Sequence, residues 1–339
     1  MNKITSSVKN WCDQKRMQRQ RKKERRAYLD SLTHLTRKDK FLNLLQSIWD
    51  HKAFYIMLIP SFVLLLIFAY KPMYGVILAF KQYSPRLGIM GSKWVGWANF
   101  EFIFAIDQFW EAFENTIVLN VLKLIFGFPA SIVLAIMLNA IRNKYLKNTL
   151  QTIVYLPHFV SWVVVSGLIF SLLNENTGSL YRLLTSMGFD IKVFSDPNQF
   201  VGLLIISDIW KEVGWGAIIY LAALSGIDST YYEAAEIDGA NTLNQFFHIT
   251  LPQLLPTISI MLILRVGGLI GGGFDQIYNL YNTQVYSTAD VLDTFIFRYG
   301  ISDGQYALAT AVGLLQNVAN IALLLFANRI VEFINKERS

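Results

Sequence analysis

Six stretches of this chain, 53–70, 116–138, 149–173, 200–224, 257–278 and 306–330, are predominantly apolar. Each is close to the length of about 20 residues that a helix needs to cross hydrocarbon. A helix satisfies its own backbone N–H and C=O groups, so such runs predict an all-α integral membrane protein with six transmembrane helices. The third and fourth runs are the least clean. Pro157 and His158 interrupt the third, and Asp208, Lys211 and Glu212 interrupt the fourth. With 53% hydrophobic and 16% charged residues, the 339-residue chain is not composed like a soluble domain.

The distribution of positive charge predicts the topology. Residues 1–52 carry fourteen Lys and Arg, and the segment between the second and third runs carries Arg142, Lys144 and Lys147. Lys336 and Arg338 lie in the tail, 331–339, just after Arg329. The intervening segments on the other side carry far fewer for their length, so both termini are expected in the cytoplasm. The basic segment 1–52 is expected to lie near anionic lipid headgroups rather than to bind nucleic acid, since no aromatic interleaving or recognition module accompanies it. Residues 53–330 then form the membrane domain. On the outer side, 71–114 is rich in Trp and Phe and reads first as an interfacial belt, then as a contact surface for an external protein. Residues 288–299 read as a short amphipathic helix lying on that surface.

One inner segment, about 228–256, breaks the charge pattern: 225–256 contains no Lys or Arg and instead gathers Glu233, Glu236 and Asp238. It reads as two short helices. Asp228 or Ser229 caps the first, and Gly239 takes the positive-φ position that ends it. Thr242 and Gln245 have capping-box spacing for the second, which is expected to stop before Pro252. An acidic bend that forgoes positive charge fits docking to a basic partner.

The spacing Glu233-Ala234-Ala235, three residues, Gly239, nine residues, then Ile249-x-Leu251-Pro252 resembles the EAA loop of permease subunits in binding-protein-dependent ABC importers. WKEVGW from Trp210, YLAALSGID from Tyr220, GGFDQIYNLYN from Gly272 and TADVLDTFIFRYG from Thr288 are similar to the carbohydrate branch, in its complex-polysaccharide or oligosaccharide permeases. The resemblance covers 53–329. It implies a type I importer permease fold with a cytoplasmic coupling helix, in a bacterial inner or plasma membrane. Glu233 would make an ion pair with an ATPase subunit, Ala234 and Ala235 the close contact, and Gly239 the bend. Asp238, Leu251 and Pro252 would fix the geometry. The implied partners are a second homologous permease, two ATPase subunits carrying the ATP and Mg, an extracellular solute-binding lipoprotein and a saccharide. This chain would be a non-catalytic subunit holding no cofactor.

The residues support that division of labour. There is no G-x-x-x-x-G-K-[ST] loop, no nucleophile elbow and no H-E-x-x-H motif, and the four histidines have no ligand spacing. Gly267, Gly268, Gly271 and Gly272 have small-xxx-small spacing, which predicts helix packing or a bend. For a sugar path the polar, uncharged or aromatic candidates are Asn120, Trp210, Trp215, Phe274, Gln316, Asn317 and Asn320. The intramembrane charges Lys123, Asp208, Lys211, Glu212 and Arg265 read as structural, with Asp208 and Lys211 neutralising each other three residues apart and Lys211 and Glu212 close to a helix end. The alternatives are an ion-coupled secondary transporter, which would leave the acidic bend without a role, and an intramembrane enzyme, for which no constellation is present.

Overall fold

The computed structural model describes residues 47–336, with side chains placed as far as 332. The basic segment before residue 47 and the last three residues of the tail lie outside the described residues. The chain divides into two compact units, Met1–Tyr74 and Gly75–Ser339.

In the first unit, α1 (Lys52–Leu65) is apolar on all sides, as a lipid-facing span must be. It continues through a π-turn, Leu66–Tyr70, and a last turn, Lys71–Met73.

The second unit is built on α2 (Asp107–Ala140), α3 (Lys144–Tyr155), α4 (Trp162–Leu173) and α5 (Pro197–Ser225). Then come α6 (Ser229–Ile237), α7 (Thr242–Gln245), α8 (Leu251–Val266), α9 (Phe274–Leu280), α10 (Leu292–Phe297) and α11 (Tyr306–Lys336). Before α2, a two-residue β-hairpin pairs Lys81–Gln82 with Lys93–Trp94. Among the described residues, four helical segments are long and apolar enough to span a membrane: Lys52–Phe80, Asp107–Ala140, Thr242–Val266 and Tyr306–Glu332.

The remaining two runs depart from straight apolar spans, each for a chemical reason. Residues 144–173 form two segments bent by 98° at a break after Phe159, counted as a fifth span only if taken together. Pro157 brings no N–H to the helix, Val160 becomes extended, and the Ser161 hydroxyl restarts the helix by accepting from Val164 N–H at 3.4 Å. Helix α5 is a single 29-residue helix, about 43 Å long, with Asp208, Lys211 and Glu212 in its middle.

Three apolar clusters hold the second unit together. Ala135 and Leu138 of α2 meet Tyr220, Leu221 and Leu224 of α5 and Leu254 of α8. Leu119, Leu203, Leu204 and Ile277 form a second cluster. Phe109, Ile270, Leu292, Phe295 and Val312 form the third.

Two sequence expectations fail here. The run 257–278 is not one helix, because α8 ends at Val266 and the chain restarts only at Phe274. Nor is 288–299 a surface helix. Leu292, Thr294 and Phe295 are buried, and Asp290 binds Arg298 through both its oxygens, at 3.0 and 2.6 Å. Apolar residues at 291, 292 and 295 face the core, and the polar ones find partners inside the protein.

Candidate functional site

Two places concentrate polar chemistry. The first is the elbow between α5 and α8. Asp228 caps α6 by accepting from Thr230 N–H at 3.0 Å, and that hydrogen bond holds its carboxyl below the ordinary Asp range. The helix ends in a Schellman motif: Ala240 N–H donates to Ala235 O at 2.8 Å and Gly239 N–H to Glu236 O at 3.1 Å. Gly239 sits at φ +79°, as the sequence predicts. Glu233, Ala234, Glu236 and Asp238 are exposed, with Ala235 partly covered. Beside them Ile237 and Leu243 are 87% and 67% exposed, an apolar surface uncommon on an otherwise polar bend.

The second half of the elbow corrects two expectations. Asn241, not Thr242, is the N-cap of α7, its side chain accepting from Asn244 N–H at 2.8 Å, and Gln245 donates to Ala240 O instead of closing a box. Nor does the helix stop before Pro252. A π-turn, Phe246–Thr250, carries α7 directly into α8, with Leu251 N–H donating to Phe246 O. The wider i→i+5 turn makes room for the proline ring where an α-turn would clash. Tyr232 Oη and Thr250 Oγ1, 2.9 Å apart, tie the two arms together. Leu251 is partly covered and Pro252 is exposed.

The second place is a cavity of about 390 Å³ between α2, α4, α5 and the α8–α9 break. Its charged residues were underestimated from sequence. Asp208 does not pair with Lys211; it lies 3.2 Å from Lys123 of α2, across the cavity wall. Lys123 also donates to Gln276 Oε1, and Gln276 in turn donates to Leu204 O and Ser207 Oγ. Lys211 and Glu212 are not near a helix end. Lys211 donates to His158 O at 2.6 Å, filling the carbonyl exposed by the α3–α4 break. Glu212 accepts from Nδ1 of the same histidine at 2.8 Å and lies 3.4 Å from Lys211. The middle of α5 therefore carries charge because it holds a broken neighbour.

The glycine-rich stretch after Val266 serves both packing and a bend: a Cβ on Gly267 would lie 2.5 Å from Leu324 of α11, and the turn follows at 271–273. Gly271, Gly272 and Gly273 all have positive φ, and a Cβ on Gly271 would lie 2.5 Å from Gln316 Nε2. Neighbouring side chains satisfy its freed backbone groups. Asn120 donates to Leu269 O and Gly271 O, Asn320 brackets Ile270 through N–H and C=O, and Asp293 accepts from Gly272 N–H at 2.7 Å. Gln316 donates to the other Asp293 oxygen. Unwound backbone inside a membrane protein needs such partners.

Of the seven path candidates, then, Asn120, Gln316 and Asn320 converge on this break, and Asn120 alone lines the cavity. Trp215 stacks on the His158 ring at 4.5 Å, Phe274 on Tyr278 at 5.0 Å, and Asn317 donates to Gly313 O in its own helix. Trp210 is half exposed and lies apart. Gln276 and Asp293 were missed. Each sits among other polar residues, Gln276 beside Asp275 and Asp293 beside Thr294, and only the third dimension singles out its partners.

Residues 127–337 match the family described as binding-protein-dependent transport system inner membrane component. Protein LplB of Bacillus subtilis is 42% identical over 287 residues, 84% of this chain and 90% of that protein. The polygalacturonan/rhamnogalacturonan transport system permease protein YteP of Bacillus subtilis is 38% identical over 302 residues, 89% and 94% respectively. A crystal structure of a bacterial ABC transporter that imports the acidic polysaccharide alginate contains a chain 40% identical, superposing with TM-score 0.79 over 86% of this chain and 99% of that one. A structure of a bacterial alginate ABC transporter in complex with an alginate pentasaccharide-bound periplasmic protein also contains a chain 40% identical, with TM-score 0.79 over 86% of this chain and 98% of that one. These relationships favour the ABC reading over an ion-coupled carrier: the chain belongs to the binding-protein-dependent transport system inner membrane component family, as a membrane-embedded permease of an ABC importer.

Proposed function

We propose that this chain forms half of a type I importer channel for an oligosaccharide or polysaccharide fragment, and that its 228–256 elbow receives the stroke of an ATPase subunit. The observation that carries the proposal is the elbow itself. It is an acidic helix closed by a Schellman turn, beside exposed Ile237 and Leu243, and it continues without interruption into a membrane-length helix. A solvated loop has no use for that apolar surface, whereas a cleft on a partner does. In this reading Glu233 makes the ion pair, Ala234 and Ala235 permit close approach, Gly239 sets the bend, and Asp238, Leu251 and Pro252 hold the two arms.

Six spans follow if the bent pair α3–α4 and the charged helix α5 are each counted, and the internal partners of Asp208, Lys211 and Glu212 make α5 tolerable in lipid. Segment 1–52 and tail 331–339 would then be cytoplasmic, flanking the 53–330 membrane domain in a bacterial inner or plasma membrane, with the basic segment against lipid headgroups. A second, homologous permease completes the channel. Two ATPase subunits hold the ATP and Mg, and an extracellular solute-binding lipoprotein delivers the saccharide. The polygalacturonan and alginate systems of the relatives support the saccharide assignment. Asn120 remains a candidate for the sugar path, together with Trp210, Trp215, Phe274, Gln316, Asn317 and Asn320.

The test is purification of the tagged chain with its neighbours, followed by ATP-dependent uptake of a glycan panel in proteoliposomes. An ATPase chain that co-purifies with the wild type and is lost in Glu233→Lys is the expected result. Saccharide uptake by the wild-type chain with no ATPase present overturns the proposal.

A further inference from the structure

We infer that the cavity bounded by the glycine break is a subsite for a carboxylate-bearing saccharide, with Arg265 as its anion-binding group. The inference rests on the saccharide-importer reading above and adds the chemical class of the cargo.

Most charges inside the cavity are paired. Lys123 is matched by Asp208, and Glu212 by His158 and Lys211. Arg265 also lines the cavity, at the end of α8, yet its guanidinium has no hydrogen-bond or ion-pair partner among the described residues. Of the cavity's ionic groups, Arg265 is the one without an ion-pair partner among the described residues. It is exposed in the single chain and its charge bears on the buried Tyr220, so this chain by itself presents one uncompensated positive charge there. An arginine within a membrane-spanning segment is costly and is retained for a partner or a function. Guanidinium geometry matches a carboxylate through two parallel N–H donations, and this preference exceeds that for a neutral hydroxyl.

The rest of the lining leaves room for a sugar. The amide N–H groups of Asn120 and Gln276 are already engaged within the protein, and Lys211 lies over the Trp162 ring, so the cavity of about 390 Å³ offers the Asn120 carbonyl oxygen and the edge of Trp162 beside Arg265. A structural role for Arg265 also exists in principle, since a cation at a helix C-terminus interacts favourably with the helix dipole. That role is blind to the charge of the cargo, which separates the two.

Equilibrium binding of trigalacturonate and of its methyl ester to the purified, assembled permease–ATPase complex, without the binding protein, tests the inference. The wild-type complex is expected to bind the acid form about tenfold or more tightly than the ester. Arg265→Gln is expected to erase that preference while leaving ester binding in place, and Arg265→Lys to restore part of it. A wild-type complex without preference for the acid, or an Arg265→Gln complex that keeps it, overturns the inference. So does equal weakening of both ligands, or failure of Arg265→Gln to co-purify with the second permease, either of which assigns the arginine to structure. ATP-dependent uptake of saccharides by wild-type proteoliposomes is measured alongside. If uptake persists while the preference is absent, only the inference falls; if no saccharide is taken up, the saccharide reading falls with it.

Discussion

The hydroxyl of Tyr232, on the first arm of the elbow, lies 2.9 Å from the hydroxyl of Thr250 on the second, 18 residues later. Thr250 is buried and Tyr232 half-buried, so this bond joins the acidic helix to the foot of α8 away from bulk water. If the elbow transmits a stroke, Tyr232→Phe loosens the joint without removing packing surface. Cargo-stimulated ATP hydrolysis should fall several-fold relative to basal hydrolysis, with unchanged membrane insertion and ATPase co-purification. A matched ratio of stimulated to basal hydrolysis in wild type and variant would remove the joint from the mechanism.

Gly239→Ala places a Cβ at φ +79° and is expected to cost about 1 kcal/mol locally. The site is open, with nothing near the added atom, so the loss comes from the backbone alone. Gly239→Asn, which tolerates the left-handed region better, should recover most of it. Thermal unfolding in detergent, read by the monodisperse fraction, should rank the three chains glycine, asparagine, alanine, while Gly239→Pro should abolish transport with insertion intact.

Lys123 and Asp208 make an interhelix pair with side chains only 12% and 19% exposed. Lys123→Met or Asp208→Leu alone strands a charge in a low-dielectric site, whereas the double substitution removes both. Each single change is expected to destabilise more than the double, with a coupling of about 1–3 kcal/mol in a double-mutant cycle. Additive single effects would show that solvent already screens the pair.

Asp228 gives the elbow a pH dependence of known sign. Its carboxylate is stabilised in the folded elbow by Thr230 N–H, so its folded pKa lies below the unfolded value. The capping contribution is therefore fully present above the ordinary Asp pKa and is lost as pH falls through the lower, folded value. Protection of the α6 amides, taken relative to their intrinsic exchange at each pH, should fall over that acidic window in the wild type. Asp228→Asn, which caps without titrating, should show no such fall in protection.

How far the sequence carried this picture differs by element. The elbow was readable because its devices are local: a cap at Asp228, a positive-φ glycine at 239 and acidic residues spaced along one helix all act within a few positions. The run through Pro252 was not, since a π-turn is a compromise between a proline and the helices on both sides of it, and no residue announces it. The charges of α5 were misjudged for a related reason. Asp208 and Lys211 satisfy the helical pairing rule, but Lys123 and the open carbonyl of His158, 85 and 53 positions away in the chain, compete better. Likewise the glycines at 267–273 show that the chain bends without showing what holds the bend. Asp293, Asn320 and Asn120 come from three separate helices.

The π-turn before Pro252 makes Thr242–Val266 one rod of 25 residues, about 37 Å long, anchored at one end in the elbow and ending at the other in the glycine break. The helix is continuous along this length, and its backbone leaves helical geometry only at the far tip. In the proposed mechanism, a displacement of the elbow would be carried along this helix to the point where Gly271, Gly272 and Gly273, all at positive φ, let the chain swivel beside the cavity. Leverage, more than local chemistry, is what a proline absorbed without a stop contributes to this molecule.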